Sequence, residues 1–367
     1  AEIKQHMVAD LQTVINGWRG YLEVQQLNRH RDWTASNQLT SQQLEDVDRL
    51  YLRLSSYLKL ASVRAQSHLG DAEKAQRSLE RLIAAGAKLD DLQLQTLGYL
   101  YQGNTYRDIG RWRDAVVEYE RAQEIYDRLN DLISSHEVEM SIAVAYLFGG
   151  EYDRALPSLH RCMNVFVADE LAALTVRAHY ALAWAYNLCG EWDRSLQHHQ
   201  EGVENACNDL PEGDRGSQYL IMLGRSVLGN DYRQRREPEK ALVEYSEAHH
   251  MVTEFGDTRE YGWILMGLAR VHGQLALKAR AKGTREEATA HYDKATGYFE
   301  QALTFNYQIG FWYRQSMAKT HYGRFLLDYD GDKQRLTQAT QLLGEALSHA
   351  DTAHSQYYKA QACVWLC

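Results

Sequence analysis

The chain has fifteen histidines, a residue type that binds metals and transfers protons near neutral pH. Four of them form two adjacent pairs, His198-His199 and His249-His250. Neighbouring residues on a helix point about 100° apart, so an adjacent pair does not readily share one ion. His199 also occupies a repeat position, defined below, that is expected to pack in the core. We therefore predict no metal site.

Carboxylates and nucleophiles give no catalytic pattern either. Pairs such as Glu118 with Glu120 fall on predicted helix surfaces, and nothing in the sequence places two carboxylates across a cleft. The phosphate loop GxxxxGK[ST], the zinc motif HExxH and the nucleophile motif GxSxG are all absent from the sequence. We predict that the chain is not an enzyme, has no catalytic residues and needs no cofactor.

The five cysteines do not form a disulfide framework, because their number is odd and no CxxC pair occurs. Cys162 and Cys189 are interpreted as small core residues. The sequence has no apolar run of about 18 residues, which a membrane span needs, and no visible signal peptide. Free thiols are typical of a reducing compartment, so we expect a cytoplasmic protein that does not enter a membrane.

The charge balance argues against nucleic acid as the main partner. The formal net charge is −9, whereas nucleic-acid-binding domains usually carry a basic face. The short basic run Arg233, Arg235 and Arg236 is expected to be a solvated helix end. With 45% hydrophobic residues, 24% charged residues and only three prolines, the composition fits a folded, helix-rich chain.

Helices must position any site in this chain, and a forty-residue period defines them. Glycines recur at Gly70, Gly110, Gly150 and Gly190, and each is followed five residues later by Ala or Ser. A fifth unit has Arg236 in the glycine position. A fixed period of this length predicts stacked repeats, in which each unit contacts mainly its neighbours.

Five positions recur around the turn. Small residues lie seven before and five after it, where only short side chains let two antiparallel helices approach closely. A tyrosine lies four residues before it in most units. An apolar or aromatic residue nine after it and a small residue twelve after it share one helix face. Around Gly150 these residues are Ala143, Tyr146, Ala155, Leu159 and Cys162.

This pattern resembles the tetratricopeptide repeat (TPR) family, and the segment 103–115, GNTYRDIGRWRDA, carries the match most clearly. The resemblance covers residues 41–350 and is sharpest from 92 to 250. The forty-residue unit is longer than the usual one and resembles the repeats of kinesin light chains and the sensor arms of bacterial signalling ATPases. The resemblance implies an all-α fold, a right-handed superhelix (α-solenoid) of about seven antiparallel helix pairs.

Three segments depart from the period. Residues 1–40 are predicted to form a capping helix and linker, and residues 351–367 the start of a further helix. The apolar C-terminus and the first residue, Ala1, indicate a piece of a longer protein or an end that docks on something else. After Arg236 two repeat frames fit, starting from Ala288 or seven residues later from Ala295, and a longer helical pair over 258–307 accommodates both.

In TPR proteins the first helix of each pair lines a concave groove, which implies candidate ligand contacts here. Asparagines can bind a peptide backbone, arginines can bind carboxylates, and aromatic side chains can receive an anchor residue. The residues implied at groove positions are Asn104, Arg107, Phe148, Tyr180, Trp184, Asn187, Asn230 and Arg233.

Two functions follow from these residues. The first is a non-catalytic scaffold that binds a protein or peptide segment in the groove. The alternative is a sensing arm of a larger bacterial signalling ATPase or regulator, which binds a small inducer and acts on a neighbouring module of the same chain. An enzyme is the third and weakest hypothesis.

Overall fold

The computed structural model describes residues 15–16, 18–24, 26–27, 35, 38–39, 56–60, 63, 72–108, 111–255, 260–308, 312–329, 333–352 and 363. These residues contain helices and short turns and no strand, which confirms the all-α prediction. The chain divides into two compact units, unit 1 (Ala1–Leu174) and unit 2 (Thr175–Cys367).

Unit 1 contains paired antiparallel helices connected by short turns. Its helices with described boundaries are α1 (Ala72–Lys88), α2 (Leu92–Asp108), α3 (Trp112–Arg128), α4 (Leu132–Gly149) and α5 (Tyr152–Ala168). The next helix, α6 (Ala172–Leu188), begins in the last residues of unit 1 and continues in unit 2.

Unit 2 continues the same alternation with longer helices toward its end. These helices are α7 (Trp192–Asp209), α8 (Arg215–Gln234), α9 (Pro238–Phe255), α10 (Tyr261–Ala281), α11 (Arg285–Gln308), α12 (Trp312–Tyr329) and α13 (Lys333–Thr352). The pair α10–α11 spans both repeat frames left open by the sequence, and Ala288 and Ala295 are both buried.

The small residues five places after each turn form the crossing points of the helix pairs. Ala115, Ala155, Ser195 and Ala241 are completely buried, as the repeat pattern predicts. Seven residues before the turn, a Cβ atom added to Gly103 would lie 2.5 Å from the ring of Tyr119, so the close approach requires glycine there. The periodic pattern therefore specifies the packing within each pair.

The turns adopt the left-handed backbone that the glycines predict. Gly150 and Gly190 have φ angles of 76° and 79°, and Arg236, which replaces the glycine in its unit, has a φ of 60°. Gly70 and Gly110 lie outside the described residues. Of the predicted N-terminal helix and the segment 351–367, most residues also lie outside the described part, and those end assignments remain predictions.

Alternate helices meet on one side of each unit. The first helices of successive pairs contact one another directly, α2 with α4 in unit 1, and α8 with α10 and α10 with α12 in unit 2. No comparable contact joins successive second helices in the described part of either unit. The side formed by the first helices, here called the first-helix face, is therefore the more closely packed one. None of the described helices is long and apolar enough to cross a bilayer.

Candidate functional site

The candidate residues of unit 1 lie on α2 and α4. Asn104 is half-buried, and its Oδ1 accepts a hydrogen bond from the hydroxyl of the buried Tyr119 at 2.8 Å. Arg107 is half-buried, while Phe148, near the end of α4, is 52% exposed. Asn104 thus has a role within the fold, whereas Phe148 presents a large apolar surface to solvent.

Tyr180 on α6 is buried instead of lining an open surface. Its hydroxyl donates a hydrogen bond to the backbone oxygen of Leu220 at 3.0 Å. The ring fits only because Gly202 and Gly224 have no side chains, since a Cβ atom at either position would overlap it. Tyr180 on α6 therefore packs against α7 and α8, and it does not line a ligand surface.

A buried carboxylate organises the α6–α7–α8 region. Asp231 on α8 is 4% exposed, and its Oδ2 lies 2.5 Å from Nδ1 of His199 and 3.3 Å from the hydroxyl of Ser195. Asn187 donates to the other carboxylate oxygen at 3.4 Å. Burying a charge is costly unless it is paired and hydrogen-bonded, so this network fixes the side chain of Asn187 and the end of α8.

Arg233, two residues further along α8, is also held in place. Its Nη2 donates to Oδ1 of Asn230 at 2.9 Å, while its Nε is buried without a hydrogen-bond partner. Burial lowers the pKa of Arg233, and Arg324 contributes in the same direction. The buried guanidinium of Arg233 contributes a fixed positive charge to this part of α8.

Two further first helices, α10 and α12, bring positive charge to the same place. Burial holds the pKa of His321 on α12 well below its usual value, and Arg270, Arg233 and Arg324 lower it further. Burial raises the pKa of the Tyr245 hydroxyl, and the positive charges of Arg233 and Arg270 oppose this rise. Gln274 on α10 donates to the backbone oxygen of Arg233 at 3.2 Å, and its buried Oε1 has no hydrogen-bond partner.

We call Asn230, Arg233, Arg270, Gln274, His321 and Arg324 the basic cluster of unit 2. Asp328 lies 3.3 Å from Arg324, and both side chains are almost half exposed. The charge of Asp231 also acts on Arg233, but Asp231 and Asp328 offset the three guanidiniums only in part, so the cluster keeps an excess of positive charge. Trp184 and Asn187 are half-buried on α6, in the same unit.

Asn230 and Arg233 are among the predicted groove residues, whereas the four cluster residues on α10 and α12 are not. The repeat positions could not be transferred beyond Arg236, because α10 and α11 have 21 and 24 residues instead of the 17 or 18 of most earlier helices. The available signal was a helical spacing of four between Arg270 and Gln274, which places both on one face.

Comparisons with known proteins agree with the repeat pattern. A family model described as tetratricopeptide repeat matches residues 178–211, which cover most of α6 and all of α7. The 43 kDa receptor-associated protein of the synapse from Tetronarce californica is 25% identical over 192 residues, 50% of this chain and 45% of that protein. The chain thus spans less than half the length of this curated relative.

Two solved structures show the same fold over most of the chain. A Rap protein complexed with competence and sporulation factor has a TM-score of 0.58 at 14% identity, covering 97% of this chain and 96% of that one. A signal transduction ATPase with numerous domains that carries a tetratricopeptide repeat sensor, from Pyrococcus horikoshii, has a TM-score of 0.51 at 13% identity. That match covers 90% of this chain and 52% of the ATPase.

Proposed function

We propose that this chain, a tetratricopeptide-repeat protein, is a non-catalytic scaffold that binds an acidic peptide or protein segment on the first-helix face of unit 2. The observation that carries the proposal is the basic cluster. In a chain with a net charge of −9, three arginines from three successive first helices converge on one place. Such a local reversal of charge favours an anionic partner and accelerates its association.

The chemistry of the cluster suits a carboxylate on a polypeptide. A guanidinium offers paired donors that match the two oxygens of a carboxylate. The amide groups of Asn230 and Gln274 can donate and accept, as an extended peptide backbone requires. Trp184 supplies a large aromatic surface in the same unit, and such residues often provide most of the binding energy at interfaces.

The Rap protein structure supports a binding role, because its description names a bound factor. Asn104, Arg107 and Phe148 stay predicted contacts of unit 1, and Trp184 and Asn187 stay predicted contacts of unit 2. A cytoplasmic location also stays a prediction.

Peptide selection tests the proposal directly. The intact chain is used to select from a library of short synthetic peptides that vary in acidic content and carry either a free or an amidated C-terminus. We expect enrichment of peptides with acidic side chains or a free terminal carboxylate, and weaker binding at high salt because screening reduces the attraction.

A pair of variants locates the binding surface. The double variant Arg270→Gln with Arg324→Gln should lose affinity for the selected peptides, while Arg285→Gln, at an exposed position on the second helix α11, should retain it. Enrichment of neutral or basic peptides, or equal affinity in all three proteins, would show that the basic cluster is not the ligand site.

A sensing arm is the second candidate, and the likeness to half of a longer signalling ATPase favours it. In this case the ligand is a small inducer, and a neighbouring module of the parent protein receives the signal. A small molecule at a hundredfold excess over its dissociation constant would stabilise the chain by about 2.7 kcal/mol. A metabolite that raises Tm, together with an unsuccessful peptide selection, would favour the sensor over the scaffold.

A further inference from the structure

A compact group of three metal-ligating side chains lies away from the basic cluster, between α6 and α7. His179 is on α6, and His198 and Glu201 are on α7. The two Nδ1 atoms are 3.2 Å apart, and Oε2 of Glu201 lies 3.5 Å from that of His179 and 3.7 Å from that of His198. In the part of the chain that the structure describes, no other group of three such side chains comes together this closely.

These separations match the bond lengths of a zinc-like ion. Three atoms separated by 3.2, 3.5 and 3.7 Å have a common centre about 2.0 Å from each. Zinc binds imidazole nitrogen at about 2.0–2.1 Å and carboxylate oxygen at about 2.0–2.2 Å. An ion at this centre would lie within bonding distance of all three atoms with both helices in their present positions.

Neighbouring side chains orient two of the three ligands, His198 and Glu201. Gln197 donates a hydrogen bond to Oε1 of Glu201 at 2.8 Å, which leaves Oε2 directed at the histidines. The ring of Tyr186 stacks on His198, with ring centres 5.5 Å apart and planes at 7°. Supporting contacts of this kind fix the ligands of known metal sites and strengthen binding.

The same place in the other helix pairs shows that this combination is unusual. His179 lies eleven residues before the turn glycine Gly190, and His198 and Glu201 lie eight and eleven residues after it. In three other pairs these positions hold ion pairs within the fold, Arg121 with Glu118, Arg161 with Glu139, and Arg225 with Glu244. The pairs Arg161–Glu139 and Arg225–Glu244 join the two helices of their pairs without a metal, whereas Arg121–Glu118 lies within α3.

The pair α10–α11 provides an internal control for the histidines. His272 and His291 occupy the first two positions, with Nδ1 atoms 2.9 Å apart. The third position is Lys294, whose positive charge faces the histidines. Two histidines can thus pack together by a single Nδ1–H hydrogen bond, and the carboxylate of Glu201 distinguishes the α6–α7 group.

We propose that His179, His198 and Glu201 bind a divalent ion of the zinc type, with the fourth position open to water. The side chains of His198 and Glu201 are 20% and 41% exposed, so solvent reaches this position. The ion joins α6 to α7 and should raise the stability of unit 2. This site is independent of the proposed peptide surface, because it shares no residue with the basic cluster.

Calorimetric titration of the intact, chelator-treated chain with Zn²⁺ tests the proposal. We expect a site that binds one ion per chain and is weakened at least tenfold in Glu201→Gln, since losing a supporting contact alone costs about ten- to a hundredfold. His291→Gln is the matched control and should bind as the unaltered chain does. Helical circular dichroism confirms that each variant is folded.

A gain of function provides a second test. Lys294→Glu places a carboxylate three residues after His291, as Glu201 stands to His198, and should add a second ion per chain. No Zn²⁺ binding by the unaltered chain, or equal binding in Glu201→Gln, would overturn the proposal and leave a simple histidine–histidine hydrogen bond. If Lys294→Glu still binds only one ion per chain, a carboxylate beside two histidines does not create a metal site, which contradicts the role assigned to Glu201.

Discussion

Asp231 and His199 form a buried pair, 2.5 Å apart, that joins the first helix α8 to the second helix α7. Both side chains are about 95% buried, and Ser195 and Asn187 complete the hydrogen bonds of the carboxylate. His199 occupies a position that holds Leu79, Tyr119 and Leu159 in earlier units. The repeat around Gly190 thus has a buried polar contact, His199 with Asp231, at a position where other repeats have Leu or Tyr.

Removal of this carboxylate should destabilise the protein strongly. In Asp231→Ala the buried side chains of His199 and Ser195 and the half-buried Asn187 lose their hydrogen-bond partner. We expect the free energy of unfolding to fall by about 3–5 kcal/mol, as when one partner of a buried pair is removed. Urea titration followed by circular dichroism measures the change.

Asp193→Ala is the matched control for this prediction. Asp193 is ion-paired with Arg235 at 2.6 Å, but its side chain is 92% exposed. Exposed pairs contribute little, so its loss should be barely measurable. Similar losses in the two variants would contradict the role of burial.

Gly224 should not tolerate even a methyl group. A Cβ atom there would overlap the hydroxyl of the buried Tyr180 and lie 2.7 Å from Cγ2 of Val203. Overpacking of this kind costs about 1–3 kcal/mol, so we expect Gly224→Ala to lower the free energy of unfolding by that amount.

Gly297→Ala gives the opposite expectation at another helical glycine. A Cβ atom at Gly297 meets nothing within 4 Å. The substitution should stabilise the protein by about 0.5–1 kcal/mol, because alanine favours the helix interior. Thermal unfolding should show a lower Tm for Gly224→Ala and a higher Tm for Gly297→Ala. A higher Tm in Gly224→Ala would show that Tyr180 moves aside freely.

Acid should weaken the fold through His272. Burial lowers the pKa of this side chain from 6.5 to about 4, with smaller effects from His291 and Lys294. Between these values the unfolded chain takes up a proton that the folded chain does not. The stabilising contribution is therefore complete above pH 6.5 and is lost as pH falls toward 4, by up to about 3 kcal/mol.

His272→Gln should reduce the slope of unfolding free energy against pH in that window. The absolute stability changes as well, because the contact with His291 is lost, so the slope is the relevant measurement. His250→Gln is the control, since the His250 side chain is 69% exposed and its removal should leave the slope as it is. An unchanged slope in His272→Gln would contradict the prediction.

The cysteines should differ in reactivity in the native protein. Burial raises the pKa of the Cys162 thiol to about 12, and Glu139 contributes in the same direction. Only the thiolate is alkylated readily, so Cys162 should resist alkylation at mildly alkaline pH. Cys189 is exposed, so its prediction as a core residue is wrong, and it should react together with the exposed Cys207 and Cys363. Mass spectrometry of alkylated peptides before and after denaturation checks this order, and rapid native labelling of Cys162 would refute it.

The sequence by itself determined the repeat and its packing contacts. Ala115, Ala155 and Ser195 are buried where the period places them, because only short side chains allow the helices of a pair to cross closely. Gly150 and Gly190 take positive φ angles, since a left-handed residue ends the first helix. These features are local, and a single helix pair is enough to specify them.

The turns between pairs were not evident from the sequence. They have positive φ angles at Asp90, Asn130 and Glu170, which also recur every forty residues. None of these residues is glycine, so composition does not mark them. The backbone strain is accepted because packing on both sides of each turn fixes the chain direction.

Only the tertiary structure decided which side chains meet across helices. It buried Tyr180, a predicted ligand contact, because Gly202 and Gly224 leave room for its ring. It also brought His179 to His198, nineteen residues away, while sequence reasoning compared only adjacent histidines. Periodicity assigns a residue to a face, but which atoms touch there depends on helix length and crossing geometry, and these are set by all the packed neighbours together.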